Sequence, residues 1–309
     1  MTQPQAKRSN LPMSELQFPT SAARPRAARR FLELGAYEAL WMRDRASFRS
    51  LARLFRLRPG ALPSDIVPRA EAEKYGRMAL ALAKHAHIGA FDLLVHGTRS
   101  YPKRLRDAAH PVEVLYCQGR PYLLELRSVA IVGTRCPSRI GQELTEQLVR
   151  HLVRSGLAII SGLAEGIDSI AHSTAIAAGG STVAVLGTPL TIVYPRANAA
   201  LQRGLARDHL VVSQVPMVRY ERQDMNANRQ FFRDRNATLA ALADAVVIVE
   251  ASDRSGALIC ARHALTMRRP LFVSNRCCGD ASLGWPERLL RQGALRLRSI
   301  EDVDERLAI

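Results

Sequence analysis

Between Val129 and Asp168 the chain reads as strand, turn, helix, strand and turn, and that order restricts the folds open to it. The apolar run 129–132 breaks at Gly133-Thr134-Arg135. A second run, 157–161, breaks at Ser161-Gly162, with Glu165, Gly166 and Asp168 just beyond. Similar runs cover 182–186, 210–213, 245–249 and 271–274, and helical periodicity covers 140–154, 168–178, 197–206, 236–243 and 256–267. Runs as continuously apolar as Val129–Val132 and Ala245–Val249 suit strands covered on both faces. Strands alternating with helices predict right-handed crossovers and an α/β, doubly wound, mostly parallel sheet. No repeat of solenoid period is present.

Sheets of this kind bind ligands beyond the carboxyl ends of their strands. Those ends carry Gly133-Thr134-Arg135, Ser161-Gly162, Gly187-Thr188 and Glu250, with Ser255-Gly256-Ala257 opening a helix. A glycine at a strand–helix turn lets backbone N–H groups approach a ligand, and the helix N-terminus behind it attracts anions. Small hydroxyl residues and an arginine suit phosphate. There is neither a G-x-G-x-x-G at the first turn nor a G-x-x-x-x-G-K-[ST], which speaks against a dinucleotide enzyme or a P-loop ATPase. Asp168 and His172 share a helix face. Together they fit an acid–base pair, or a helix cap beside a packed histidine. No metal cluster or placed nucleophile accompanies them.

The segment 219–236, RYERQDMNANRQFFRDRN, interleaves Arg219, Arg222, Arg229, Arg233 and Arg235 with Tyr220, Phe231 and Phe232. Guanidinium groups pair phosphates and aromatic faces stack bases, the combination that holds single strands. The bland alternative is a solvated loop whose phenylalanines plug the core. Charge favours a polyanionic partner: the net charge is +16, and residues 1–90 hold 16 basic against 7 acidic residues.

Residues 1–29, with Pro4, Pro12, Pro19 and Pro25 among polar and basic residues, read as a disordered basic arm. Without an apolar core they are not a secretory signal. Residues 30–88 read as a helical module. Its apolar positions recur at helical spacing, and Arg43, Arg45, Arg49, Arg53, Arg56 and Arg58 lie on its polar faces. These arginines suit phosphates, though solvated helix faces are commonly charged. Phe91–Val95 and Val112–Cys117 read as short strands before the main domain, which spans 89–300 and leaves 301–309 as a tail. The five cysteines are scattered without a C-x-x-C, so reduced thiols in the cytoplasm are expected, with no zinc site. No run approaches the length of a membrane span.

In order, these motifs resemble the DNA-processing protein A family (DprA, also called Smf). The matching pieces are Tyr101-Pro102, LYCQG at 115–119, VAIVGTR at 129–135, SGLAEGIDSIAH at 161–172, AGGSTVAVLG at 178–187, YPRAN at 194–198, FFRDRN at 231–236, EASDRSGALICA at 250–261 and LRQGA at 290–294. The resemblance covers about 90–300. It implies an extended Rossmann-like domain with a small N-terminal helical module; the C-terminal winged-helix domain found in many members is not expected in this sequence. It implies sequence-independent binding of single-stranded DNA, protection of that strand, loading of a RecA-type recombinase in natural transformation, and neither cofactor nor catalysis; action as a homodimer or higher oligomer is expected with it.

By motif position, the resemblance places Gly133, Thr134, Arg135, Ser161, Gly162, Gly166, Arg235, Asn236, Ser255 and Gly256 around a phosphate pocket. Arg135 and Arg235 would carry the charge, and Phe231 or Phe232 would stack bases. The chain departs from the family's pattern at Arg233 (Pro), Ala237 (Arg), Ala241 (Gly), Cys260 (Thr) and Ser274-Asn275 (Pro-Gly). Ala237 removes a cation that Arg233 is placed to replace. Such divergence also suits an antitoxin or DNA-sensing regulator beside a toxin in phage defence. A nucleotide-cleaving enzyme is the third reading, although the P-G-G-x-G-T-x-x-E type motif of such enzymes is missing.

Overall fold

The computed structural model describes residues 24–106, 108 and 111–308. Four helices come first: α1 (Arg24–Trp41), α2 (Phe48–Arg56), α3 (Pro63–Ile66) and α4 (Arg69–His85). Strand β1 (Asp92–Val95), α5 (Lys103–Arg106) and β2 (Val114–Gly119) follow. The alternating region then runs β3 (Ser128–Val132), α6 (Arg139–Arg154), β4 (Ala158–Ser161), α7 (Ile167–Ala177), β5 (Thr182–Leu186), α8 (Ala199–Asp208) and β6 (Leu210–Ser213). Next come α9 (Met217–Arg222), α10 (Met225–Leu242), β7 (Ala245–Ile248), α11 (Ala257–Thr266) and β8 (Leu271–Ser274). The chain closes with α12 (Asn275–Cys278), α13 (Trp285–Arg291), β9 (Leu295–Leu297) and α14 (Glu301–Leu307).

The nine strands of the described residues join one sheet in the order β1-β2-β6-β5-β4-β3-β7-β8-β9. Pairings from β6 to β9 are parallel, while β2 is antiparallel to both β1 and β6. The stretch β5-β4-β3-β7-β8-β9 repeats the 3-2-1-4-5-6 order of doubly wound sheets. The chain winds one way from β3 and the other way from β7, so the loops after these two neighbours part and leave a crevice.

Residue parity assigns the faces, because successive side chains of a strand point oppositely. Ala130, Val132, Val246 and Ile248 join a core with Leu239–Leu242 of α10 and Trp285 of α13. Val129, Ile131, Val247 and Val249 join another with Leu148 and Leu152 of α6 and Ala171 of α7. The N-terminal helices cover the rest of this second face. Tyr37, Leu40 and Trp41 of α1 share a core with Tyr116, Ala184, Leu186 and Val211. Helices α1 and α4 cross so closely that a Cβ on Gly35 would overlap the Ala72 carbonyl, and one on Gly76 would press on the Phe31 ring.

Several boundaries differ from the sequence reading. Residues 1–23 of the expected arm lie outside the described residues, and Arg24 to Arg29 already belong to α1. The expected tail is α14. Its Val303 is buried, and its Asp304 lies 2.5 Å from His151 of α6. The run 219–236 is helical, because Asp224 caps α10 by accepting the Ala227 N–H at 2.8 Å, so α10 starts at Met225 rather than near 236. Strand β9 is too short and too exposed to leave a periodic signal.

Candidate functional site

The crevice beside β3 and β7 is built by loops locked to one another. Thr134 donates its N–H to the Glu250 carbonyl at 2.7 Å, and Ile167 donates to the Thr134 carbonyl at 3.1 Å. Gly133 permits this approach, since a Cβ there would run into Ile167 and the Glu250 carbonyl. Gly166 sits at φ 76°, facing the Thr134 and Arg135 carbonyls. With the backbone fixed, Arg135 is left pointing at solvent.

The first helix N-terminus after β3 is already filled. Glu250 accepts from the Ser138 N–H at 3.1 Å and the Ser138 hydroxyl at 2.9 Å, and Ser138 caps α6 by accepting the Gly141 N–H. The carboxylate occupies the place where a phosphate would meet the dipole of α6. The N-terminus of α11 is the one that opens into the crevice. There Ser255 accepts the Ala257 N–H at 3.2 Å and Gly256 is exposed.

A cavity of about 390 Å³ lies over this point, lined by Gly133, Thr134, Arg135, Arg235, Asn236, Ser255 and Gly256, among others. It shares Arg135, Arg254, Ser255 and Gly256 with a larger groove of about 960 Å³. That groove adds Arg229, Phe232 and Arg233 from α10, Arg262 from α11, Arg288 from α13, and Tyr194. Arg135, Arg229, Arg233, Arg254, Arg262 and Arg288 are all exposed, and none is ion-paired with a described residue. Elsewhere, surface arginines such as Arg69, Arg139, Arg150 and Arg291 pair with a glutamate one helical turn away. The six groove cations, against the one carboxylate of the groove's lining, Asp253, focus a positive potential on a concave surface. Phe232 lies against Gly187 and meets Tyr194 edge-on, with ring centroids 5.3 Å apart.

Other residues singled out in the sequence serve the scaffold. Ser161 is fully buried and donates to the Ile131 carbonyl at 2.6 Å. Gly162 is buried beneath Arg235, whose guanidinium a Cβ would strike. Arg235 reaches the smaller cavity but is only 8% exposed. It donates to the Gly162 and Val185 carbonyls at 2.5 and 2.6 Å and to the Asn236 side chain at 3.2 Å. Asn236 in turn donates to the Gly256 carbonyl at 3.1 Å, fixing the α11 turn. Burial lowers the Arg235 pKa, and the nearby Asp168 pulls it back up. Burial raises that of Asp168, which Arg235 and the Ala164 N–H oppose.

The Asp168–His172 acid–base reading fails on geometry. His172 is fully buried, bonds to the Thr182 hydroxyl at 2.7 Å, and is pushed down to about 3 by burial. Asp168 reaches back to the Ala164 N–H at 3.3 Å, while Gly166 holds the helix cap position. Phe231 is corrected as a stacking candidate. It is 4% exposed and packs on Trp41, Phe48 and Tyr220, because it lies a helical step from Phe232 and faces α1 and α2.

Arg254, Arg262 and Arg288 are groove residues that the sequence reading passed over. Arg254 stands inside the EASDRSGALICA motif, and Leu258 and Arg262 follow at helical spacing. Nothing local shows that Arg288, on α13, meets the same groove.

Comparison with known proteins adds a family to this geometry. A profile for "DNA recombination-mediator protein A" matches residues 92–308. DNA processing protein DprA of Bacillus subtilis is 32% identical over 234 residues, covering 75% of this chain and 76% of that protein. The Streptococcus pneumoniae DprA is 35% identical over 203 residues, covering 66% and 70%. Its crystal structure superposes with a TM-score of 0.63 at 28% identity, covering 89% of this chain and 90% of that one. DNA processing protein A of Helicobacter pylori, whose structure concerns that protein's single-stranded DNA binding mode, gives a TM-score of 0.61 at 28% identity over 72% of this chain and 97% of its own. On the ordered motifs, the doubly wound sheet and this match over most of its length, the chain belongs to the DNA recombination-mediator protein A family, the DprA/Smf proteins.

Proposed function

We propose that this chain binds single-stranded DNA without sequence preference along the arginine-lined groove. The carrying observation is the convergence on one concave surface of six exposed arginines, from four separate parts of the chain, that pair with no described acidic residue. The smaller cavity takes a phosphate at the α11 N-terminus, between Arg135 and the Thr134–Ser255 hydroxyls. The other arginines follow the backbone, and Phe232 with Tyr194 offers ring surface to a base. Backbone phosphates are common to every sequence, so such a groove holds a strand irrespective of its bases. The solved single-strand binding mode of the Helicobacter pylori relative supports this reading.

The same proposal includes a role in recombination that is binding rather than catalysis. The chain acts as a homodimer, protects the strand and presents it to a RecA-type recombinase. The support for the recombination role is the family's description as a recombination mediator. Loading is checked by the rate at which a RecA-type recombinase displaces a single-strand binding protein with and without this chain.

Binding of labelled oligo-dT, followed by anisotropy over a salt series, tests the groove. Single-strand binding loses about 0.7 in log–log salt slope per phosphate contact, so six contacts give a slope near −4. Arg135→Ala and Arg233→Ala are each expected to flatten it by about 0.7. A slope that both variants leave unchanged removes the groove from the path of the strand.

A further inference from the structure

We infer that the single strand continues beyond the groove, over α10, onto an arginine face of α2. This rests on the binding reading above and extends its footprint. Helix α2 carries Arg49, Arg53 and Arg56, spaced one turn apart, with Arg45 just before it and Arg58 just after. All five are exposed, and α2 itself contains no acidic residue. Arg45, Arg49, Arg53 and Arg58 form no ion pair with a described residue, the same condition found in the groove.

Placement turns that charge into a continuation. Phe48, the first residue of α2, packs on Trp41 with centroids 4.6 Å apart and on Phe231 of α10 at 6.1 Å. Phe231 and Phe232 are neighbours on α10 and so differ by about 100° in direction. Phe232, with Arg229 and Arg233, faces the groove; Phe231 faces α2. Helix α10 is thus a ridge with the groove on one flank and the arginines beside Phe48 on the other. Its outer surface, at Asn226, Ala227 and Gln230, is exposed and uncharged. A strand leaving the groove passes two carboxylates there, neither of them free: Asp224 accepts the Ala227 N–H at 2.8 Å as the cap of α10, and Asp234 is part-buried and bonded to Gln230 at 2.9 Å.

The chemistry favours a flexible polyanion over a lipid surface. Leu51, Ala52 and Phe55 of α2 are buried in the core, which leaves only Leu57 at the C-cap to enter an apolar phase. Amphipathic membrane helices require a broad free apolar face. A duplex is too stiff to bend from a narrow groove over a helix ridge, whereas a single strand follows it.

The test compares short and long oligo-dT on the full chain carrying R45A, R49A and R53A together. These side chains are exposed, so far-UV circular dichroism and the unfolding midpoint should match the parent. Short oligonucleotides that fill only the groove should bind the triple variant as they bind the parent. Long ones should lose affinity several-fold, and their log–log salt slope should flatten by about 2, the value for three lost contacts. A lysine triple, R45K/R49K/R53K, should restore the slope. Equal binding of long strands by parent and alanine triple overturns the extension while leaving the groove intact. Equal weakening of short and long strands also overturns it, since the arginines would then act only through the general field. Loss of the length effect in Arg135→Ala, but not in the triple, places the whole footprint in the groove and overturns it as well. A chain that binds no single strand defeats both readings together.

Discussion

Arg233 and Arg235 stand two residues apart on α10 and do opposite things. A 200° turn of the helix separates them. Arg233 is exposed on the groove wall, whereas Arg235 turns inward onto two carbonyls, within electrostatic reach of Asp168. Arg235→Ala would leave two buried carbonyls without a donor and the buried Asp168 without a nearby positive charge, so a loss of about 3 kcal/mol in urea unfolding is expected. Arg233→Ala should change stability by no more than about 0.5 kcal/mol, because the side chain lies in water. Unfolding curves for the two variants check the split. Equal, small losses would mean that the guanidinium of Arg235 is not a buried support. This is also where the sequence stops being informative about the site. A motif match ranks Arg235 and Arg233 by position, but the side that a helical residue faces depends on where the helix begins. Placing that start near 236 hid the phase of Phe231, Phe232, Arg233 and Arg235 together.

At the scale of elements, the parallel strands were legible because both faces are covered and their apolar runs are unbroken. The attachment of the N-terminal helices was not, because it rests on long-range contacts, among them those of one buried carboxylate. Glu38 of α1 is fully buried. It accepts from the Tyr116 hydroxyl at 2.7 Å and from the Met217 and Val218 N–H groups at 2.9 and 3.0 Å. It thereby ties α1 to β2 and to the start of α9. Burial raises its pKa from 4.5 to about 7, against the pull of these three donors. The folded chain then holds a proton on Glu38 that the unfolded chain releases near pH 4.5. This group's contribution is therefore fully present below that pH, declines as pH rises to about 7, and is constant beyond. The span corresponds to about 3 kcal/mol. Unfolding free energies of the parent and Glu38→Gln, measured from pH 4.5 to 8, should differ by an amount that falls by about that much across the window and then levels off. A pH-independent difference would mean that Glu38 is ionised in the folded chain throughout.

For the whole molecule, the question is whether the helical region and the sheet form one cooperative body. The sequence suggests a module followed by a domain, because composition and period change near residue 90. The structure joins them through a core in which Tyr37, Leu40 and Trp41 pack with Tyr116, Leu186 and Val211, and through Phe231, which reaches that core from α10. Stripped of α1 to α4, the sheet would expose an apolar face far larger than a soluble surface tolerates. The chain's two tryptophans report on opposite sides of this question. Trp41 lies in the core of the N-terminal helices, and Trp285 lies under the groove on the other face. In Trp41→Phe the remaining fluorescence follows the groove side, and in Trp285→Phe it follows the helical side. Within each variant, fluorescence and far-UV circular dichroism should give the same urea midpoint and the same slope, as expected of all-or-none unfolding. If the Trp41 signal moves ahead of the circular dichroism in Trp285→Phe, the N-terminal helices detach as a separate unit. The arginine face of α2 would then be tethered to the groove rather than held beside it, and the salt slope of long oligonucleotides should fall at the denaturant concentration where that first transition ends.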